Sequence, residues 1–220
     1  MEKRKNGIIV ISDIDGVLCN LIDPCFDFIE HTFGISLKQN KDFKIDDFKK
    51  IMKRCLTKKQ WCCFEDWIKE DRSLYDHKTL KSYPNTVSFF VNDLLLPYAF
   101  STARLPKLRD LTSAWLEKEG LLKKSIGLYM GDNKSQSVLS VIEMGYTSII
   151  FIDDSPSVLK KLKENFVQGD YIERMTGNSS RGVNLKLLLW DSRIENDNSM
   201  KLANLILEAV EEGWKSGKGN

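Results

Sequence analysis

Histidine is nearly absent from this 220-residue chain, which has two, His31 and His77. Neither has a partner at metal-ligand spacing, and both read as incidental. Cysteine is scarce as well: the five, Cys19, Cys25, Cys55, Cys62 and Cys63, are odd in number, form no C-x-x-C pair and include two neighbours. That pattern suggests neither a disulfide framework nor a zinc ribbon, so reduced thiols in a cytoplasmic protein are expected. No run approaches the roughly 18 apolar residues of a membrane span. The opening Met1–Lys5 is basic, but the apolar run after it, Ile8 to Ile11, is too short for a signal peptide's core. A net charge of +2 carries no global commitment to nucleic acid or to a membrane. What is present, 42% hydrophobic and 29% charged residues, describes a globular chain of one domain plus an insertion, or of two small domains.

The most informative stretch is Gly7-Ile8-Ile9-Val10-Ile11-Ser12-Asp13-Ile14-Asp15-Gly16-Val17-Leu18. A short apolar run bounded by polar and glycine signals reads as a strand buried on both faces. In parallel sheets chemistry sits just beyond the C-terminal strand ends, where Asp13 and Asp15 fall. Period-two alternation predicts that their side chains emerge on one side, with Gly16 allowing a sharp turn. Carboxylates so close repel, so the site needs a cation or a proton, and Mg²⁺ meets that need. Taken alone, an Asp-x-Asp-Gly is as readily a turn with two solvated acids.

Helical periodicity follows the first strand. Asp23-Pro24 predicts a helix start, with Phe26, Phe28, Ile29 and Phe33 apolar and Gly34 at its end. A second helix begins near Asp46, and a third, shorter one carries Phe64, Trp67 and Ile68. From Lys38 to Lys59 nine Lys or Arg face three Asp, a local excess of +6. It is either a solvated face or an attractor of phosphate; likewise Trp61 and Trp67 are either core or platforms for a base. Pro84 starts a helix bearing Val87, Phe90, Val91 and Leu94. From residue 97 strands and helices alternate: Tyr98 to Ser101, a helix from Pro106, Ile126 to Met130, a helix from Lys134, Thr147 to Ile152, and a helix from Pro156. Leu185 to Trp190 is a further strand, and Met200 to Val210 lies in a last helix. Residues 169–183 carry no clear signal, and the tail after Gly213 reads as frayed. The alternation predicts an α/β fold, a Rossmann-like doubly wound parallel sheet. Residues 1–20 and 93–220 form the core, and residues 21–92 form a helical cap inserted after the first strand.

Four features fall at strand ends or helix starts: Asp13 with Asp15, Thr102 with Ala103 and Arg104, Lys134, and Asp153 with Asp154. Lys123 and Lys124 compete with Lys134 but precede a strand in a loop. In this order the four resemble the motifs of the haloacid dehalogenase (HAD) superfamily: D-x-D-G-[TV]-[LV], a strand-ending hydroxyl residue, a lysine, and an acidic pair after an apolar strand. The resemblance implies a Mg²⁺-dependent phosphatase in which Asp13 is the nucleophile and Asp15 the general acid and base. It implies further that Thr102, Ala103, Arg104 and Lys134 bind the phosphate. The metal is expected on Asp13, on Asp15 through its backbone carbonyl, and on Asp153 or Asp154. Arg104 is alternatively a partner for a helix-end carboxylate, and Asp154 a cap for the next turn.

Two substrates compete. The insertion resembles the caps of 5′(3′)-deoxyribonucleotidases and favours a nucleotide. Residues 102–154 resemble the phosphatase domain of polynucleotide kinase-phosphatases, which points to a 3′-phosphate on a nucleic acid end. The chain has no G-x-x-x-x-G-K-[ST] for a kinase half. A small-metabolite phosphatase and a non-catalytic binding module on the same fold are the remaining readings.

Overall fold

The computed structural model describes residues 7–37, 45–76, 80–166 and 183–216. Its centre is a five-stranded, all-parallel sheet. The strands are β1 (Ile8–Ser12), β4 (Tyr98–Thr102), β5 (Ser125–Met130), β6 (Ser148–Asp153) and β7 (Asn184–Leu189), in the order β5-β4-β1-β6-β7. The first strand is therefore central, as a doubly wound sheet requires. A two-stranded antiparallel ribbon pairs β2 (Cys19–Asn20), soon after β1 in the chain, with β3 (Lys81–Ser82).

Alternation explains why these runs form buried strands. Val10, Tyr98, Phe100, Ile150 and Ile152 face one cluster, together with Trp115 of α5 (Arg109–Lys118) and with Leu202 and Ile206 of α8 (Ser199–Ser216). Ile9, Ile11, Ala99, Ile149 and Phe151 face the other, with Val138 and Val141 of α6 (Lys134–Glu143) and Leu159 and Leu162 of α7 (Pro156–Phe166). Each fully buried aliphatic contributes about 1.5–3 kcal/mol relative to exposure. Helices on both faces thus bury the three central strands, while the edge strands β5 and β7 stay half-buried, with Ile126 and Leu189 exposed.

Between β1 and β4 lie α1 (Ile22–Phe33), α2 (Ile45–Cys55), α3 (Lys58–Glu70) and the short α4 (Pro84–Ser88). The first three pack round their own centre of Ile29, Phe48, Met52 and Phe64. Val87, Phe89 and Phe90 instead join the main core, and Leu74 and Tyr75 form a small cluster with Leu108, so the segment read as one insertion over 21–92 divides among three clusters. Helix α1 ends at Gly34, whose left-handed φ of 67° lets its N–H reach Glu30 O. Its start differs from the expected Asp23-Pro24 cap: the Asn20 side-chain oxygen accepts from the N–H groups of Ile22 and Asp23. Helix α3 spans 13 residues and is longer than α2, not shorter. The helix from Pro84 runs into a π turn at Phe89–Asp93. No cysteine forms a disulfide, and no helix among the described residues is long and apolar enough to cross a membrane. The readings on residues 38–44, on 169–182 and on the tail beyond 216 lie outside the described residues.

Candidate active site

Register brings the acids together. Ser12 pairs with Ile152 at the last step of the β1–β6 ladder, and the Asp13 N–H donates to Ile152 O at 2.8 Å. The next residues on the two strands, Asp13 and Asp153, therefore leave the sheet side by side. Carboxylate oxygens of Asp13, Asp153 and Asp154 lie within 4.8 Å of one another, all three residues buried. The Lys134 ammonium stands 2.7 Å from Asp13 Oδ1 and 3.3 Å from Asp153 Oδ2, and donates to Ser101 O at 2.6 Å. Lys124 is elsewhere, donating to Val91 O.

Gly16 has φ +84°, and a Cβ added there would sit 1.9 Å from Asp154 Oδ2. The carboxylate of Asp154 thus rests directly on the backbone of the first turn, a close approach that only glycine permits. The turn is fastened from behind by Ser192, whose N–H donates to Gly16 O and whose hydroxyl donates to Val17 O.

The strand ends at Ser12, so period-two alternation does not carry through to Asp15. Asp13 and Asp15 both reach the cleft but take different partners. Asp15 accepts from Arg104 Nε at 2.9 Å and from Nη2 at 2.6 Å, a bidentate pair. Arg104 also donates from Nη1 to Thr112 Oγ1 and lies 4.9 Å from the Tyr75 ring centre. Its guanidinium is engaged on Asp15, not on a helix-end carboxylate. The Thr102 hydroxyl is fully buried and engaged with Asp15 at 3.4 Å, while Ala103 and Arg104 line the cleft.

Charge follows geometry. Burial, and then Asp153 and Asp15 nearby, push the Asp13 carboxyl up to about 7 against the pull of Lys134. Burial pushes Asp154 well above the carboxylate range, with Asp13 and Asp153 adding to it. Asp15 goes the other way, because Arg104 outweighs the cost of its burial and leaves it below the usual range. Burial would deprotonate Lys134, but Asp13 and Asp153 outweigh it and keep the ammonium charged. With Asp15 neutralised by Arg104, three carboxylates face one ammonium. That deficit matches a divalent cation, and the oxygen-only donors suit a hard ion such as Mg²⁺.

The cleft over these groups has a volume of about 450 Å³, within the range of small-molecule sites. One wall is the sheet edge; the other comes from the helical cluster and includes Ile22, Phe48, Trp61 and Phe64. Trp61 lines the cleft, whereas Trp67 stacks on Phe28 at 4.1 Å and donates to Asp71. Of the basic stretch, Lys53 lines the cleft. Sequence reasoning missed the Asp15–Arg104 pair and the Ser192 fastening. An arginine two residues past a strand-ending threonine hints at the first. Nothing in the sequence signals the second, which joins residues 175 positions apart. No protein-family model matches the chain, and no curated protein matches it.

Proposed function

We propose that the chain is a Mg²⁺-dependent phosphomonoester hydrolase of the haloacid dehalogenase type, acting on a nucleotide through an aspartyl-phosphate on Asp13. The observation that carries this reading is the convergence of Asp13, Asp153, Asp154 and Lys134 at the ends of adjacent parallel strands. Such a cluster is costly unless it serves a cation and an anionic ligand together.

Asp13, Asp153 and Asp154 would hold the metal, which when bound neutralises charge between the nucleophile and the phosphoryl oxygens. An Asp13 oxygen attacks phosphorus and the bond to the leaving oxygen breaks. Held by Arg104 in the base form, Asp15 is set for the second step, where it takes a proton from the water that hydrolyses the aspartyl-phosphate; in the first step the leaving oxygen takes its proton from solvent. Lys134, buried and charged, steadies Asp13 and offers positive charge to the phosphoryl group. The α1–α3 cluster serves as the cap, and its aromatic wall suits the flat base of a nucleotide better than a polyol.

The test is Mg²⁺-dependent phosphate release from nucleoside 5′- and 3′-monophosphates, a 3′-phosphorylated oligonucleotide and sugar phosphates. Wild type should turn over nucleotides and lose activity with EDTA. Asp13→Asn should fall by at least about a thousandfold, since an amide is no nucleophile toward phosphorus. Near-normal turnover by that variant, or no release from any substrate, would overturn the reading.

A further inference from the structure

The inner cations of the cleft are already committed: Lys134 to Asp13 and Asp153, Arg104 to Asp15. On the helical wall stand Lys53 and Lys69, both exposed and both lining the cleft. Among the described residues neither makes an ion pair. Lys53 is held in place by the Trp61 ring, with its ammonium 5.5 Å from the ring centre. Flanking cations differ: Lys107 pairs with Glu70, and Arg72 pairs with Asp110. Glu65 is the acid on the same wall and leaves the group with an excess of one positive charge.

We infer that Lys53 and Lys69 form a second anion subsite, so that the substrate is a phosphomonoester carrying another phosphate beyond a flat apolar body. This rests on the phosphatase reading for the first phosphate. In the cleft lining the three clustered acids and Lys134 are buried, Phe48 and Phe64 are buried rings of the helical wall, and Lys53 and Lys69 are exposed. A nucleoside whose other ribose position bears phosphate presents the matching groups: an anion for the buried site, a flat base, and a second anion for the exposed ammoniums. Two sources share that chemistry, a free nucleoside 3′,5′-bisphosphate and the terminal nucleotide of a nucleic acid, whose second charge is a phosphodiester.

The experiment measures equilibrium binding to the Asp13→Asn protein with Mg²⁺ present, so that turnover is not needed. The probes are a nucleoside 3′-monophosphate, the corresponding 5′-monophosphate, the 3′,5′-bisphosphate and a 3′-phosphorylated dinucleotide. The bisphosphate should bind about tenfold more tightly than the better monophosphate, as two exposed charge pairs of ~0.7 kcal/mol each would give. In K53Q/K69Q on the same background that preference should fall to about onefold, and in wild-type background the KM preference should collapse likewise. A dinucleotide that follows the bisphosphate in both proteins identifies a nucleic acid end; one that binds like a monophosphate identifies the free bisphosphate. Equal affinity for mono- and bisphosphates, or a preference that survives K53Q/K69Q, overturns the subsite. A preference lost in K53Q/K69Q, with no phosphate released by wild type, keeps the subsite and removes the phosphatase reading.

Discussion

At the scale of single residues, the site depends on a side chain that is missing. Gly16 leaves room for Asp154 Oδ2 to rest against the backbone, and its φ of +84° is one that L-residues seldom adopt. Gly16→Ala must therefore either strain the turn or push Asp154 aside. The expected outcome is a loss of about 2 kcal/mol in unfolding free energy from positive φ and crowding. With it, the Mg²⁺ concentration for half-maximal activity should rise at least about tenfold. Titration of activity with Mg²⁺, beside a denaturant curve, checks both; unchanged Mg²⁺ dependence would mean that Asp154 does not sit on the turn. Asp13, Asp153, Asp154 and Lys134 were legible as candidate site residues because each ends a strand, directly follows one or starts a helix, positions that apolar runs mark. The partners of Asp15 were not legible. A strand's alternation says where a side chain points only while the strand lasts, and β1 stops three residues earlier.

At the scale of elements, the strands were the most readable parts, because a sheet covered on both faces demands near-continuous apolar runs. Gly34 and Pro156 marked helix boundaries for reasons of backbone conformation, a left-handed φ at the C-terminus of α1 and a proline-fixed φ at the first residue of α7. The length of α3 was less readable: its first turn, Lys58-Lys59-Gln60, is polar and hides the helix from an apolar-period reading. The signal that does mark it is the capping box of Thr57 and Gln60, in which each side chain meets the other residue's backbone N–H. Thr57→Ala should cost about 1 kcal/mol. Because α3 packs mainly within the helical cluster, the cost should be local. Amide exchange is expected to quicken several-fold in α3, with β1 amides unaffected. Equal acceleration in β1 would show that the two clusters open as one unit. The division of residues 21–92 among three clusters escaped the sequence, since apolar residues at 74–75 and 87–90 carry no address saying which core they join.

At the scale of the whole molecule, the site opposes the fold that builds it. Asp13 and Asp154 both gain affinity for protons on folding, so the native state binds more protons than the unfolded chain near neutrality. Stability of the metal-free protein should therefore grow as pH falls from about 7 toward the ordinary carboxylate range, and should shrink as pH rises through about 7. Asp15, held below its usual range, acts oppositely but only at lower pH, as the carboxylate itself titrates. Thermal unfolding at pH 5.5 and pH 8 checks the sign: without metal the midpoint should be higher at pH 5.5. Saturating Mg²⁺ or Asp154→Asn should remove most of the difference, and a higher metal-free midpoint at pH 8 would contradict the charge balance described. The central place of β1 has a consequence for biosynthesis. Both of its neighbours are encoded downstream, β4 starting at Tyr98 and β6 at Ser148. At translation speeds of about 5–20 residues per second, Ser148 is made about 7–28 s after Ile8. Among the described strands, the most apolar is thus made before the others and is among the last to be fully paired. Until Tyr98 to Thr102 emerge, Ile8 to Ile11 have no strand to pair with, and shielding that apolar run falls to the ribosome or a chaperone.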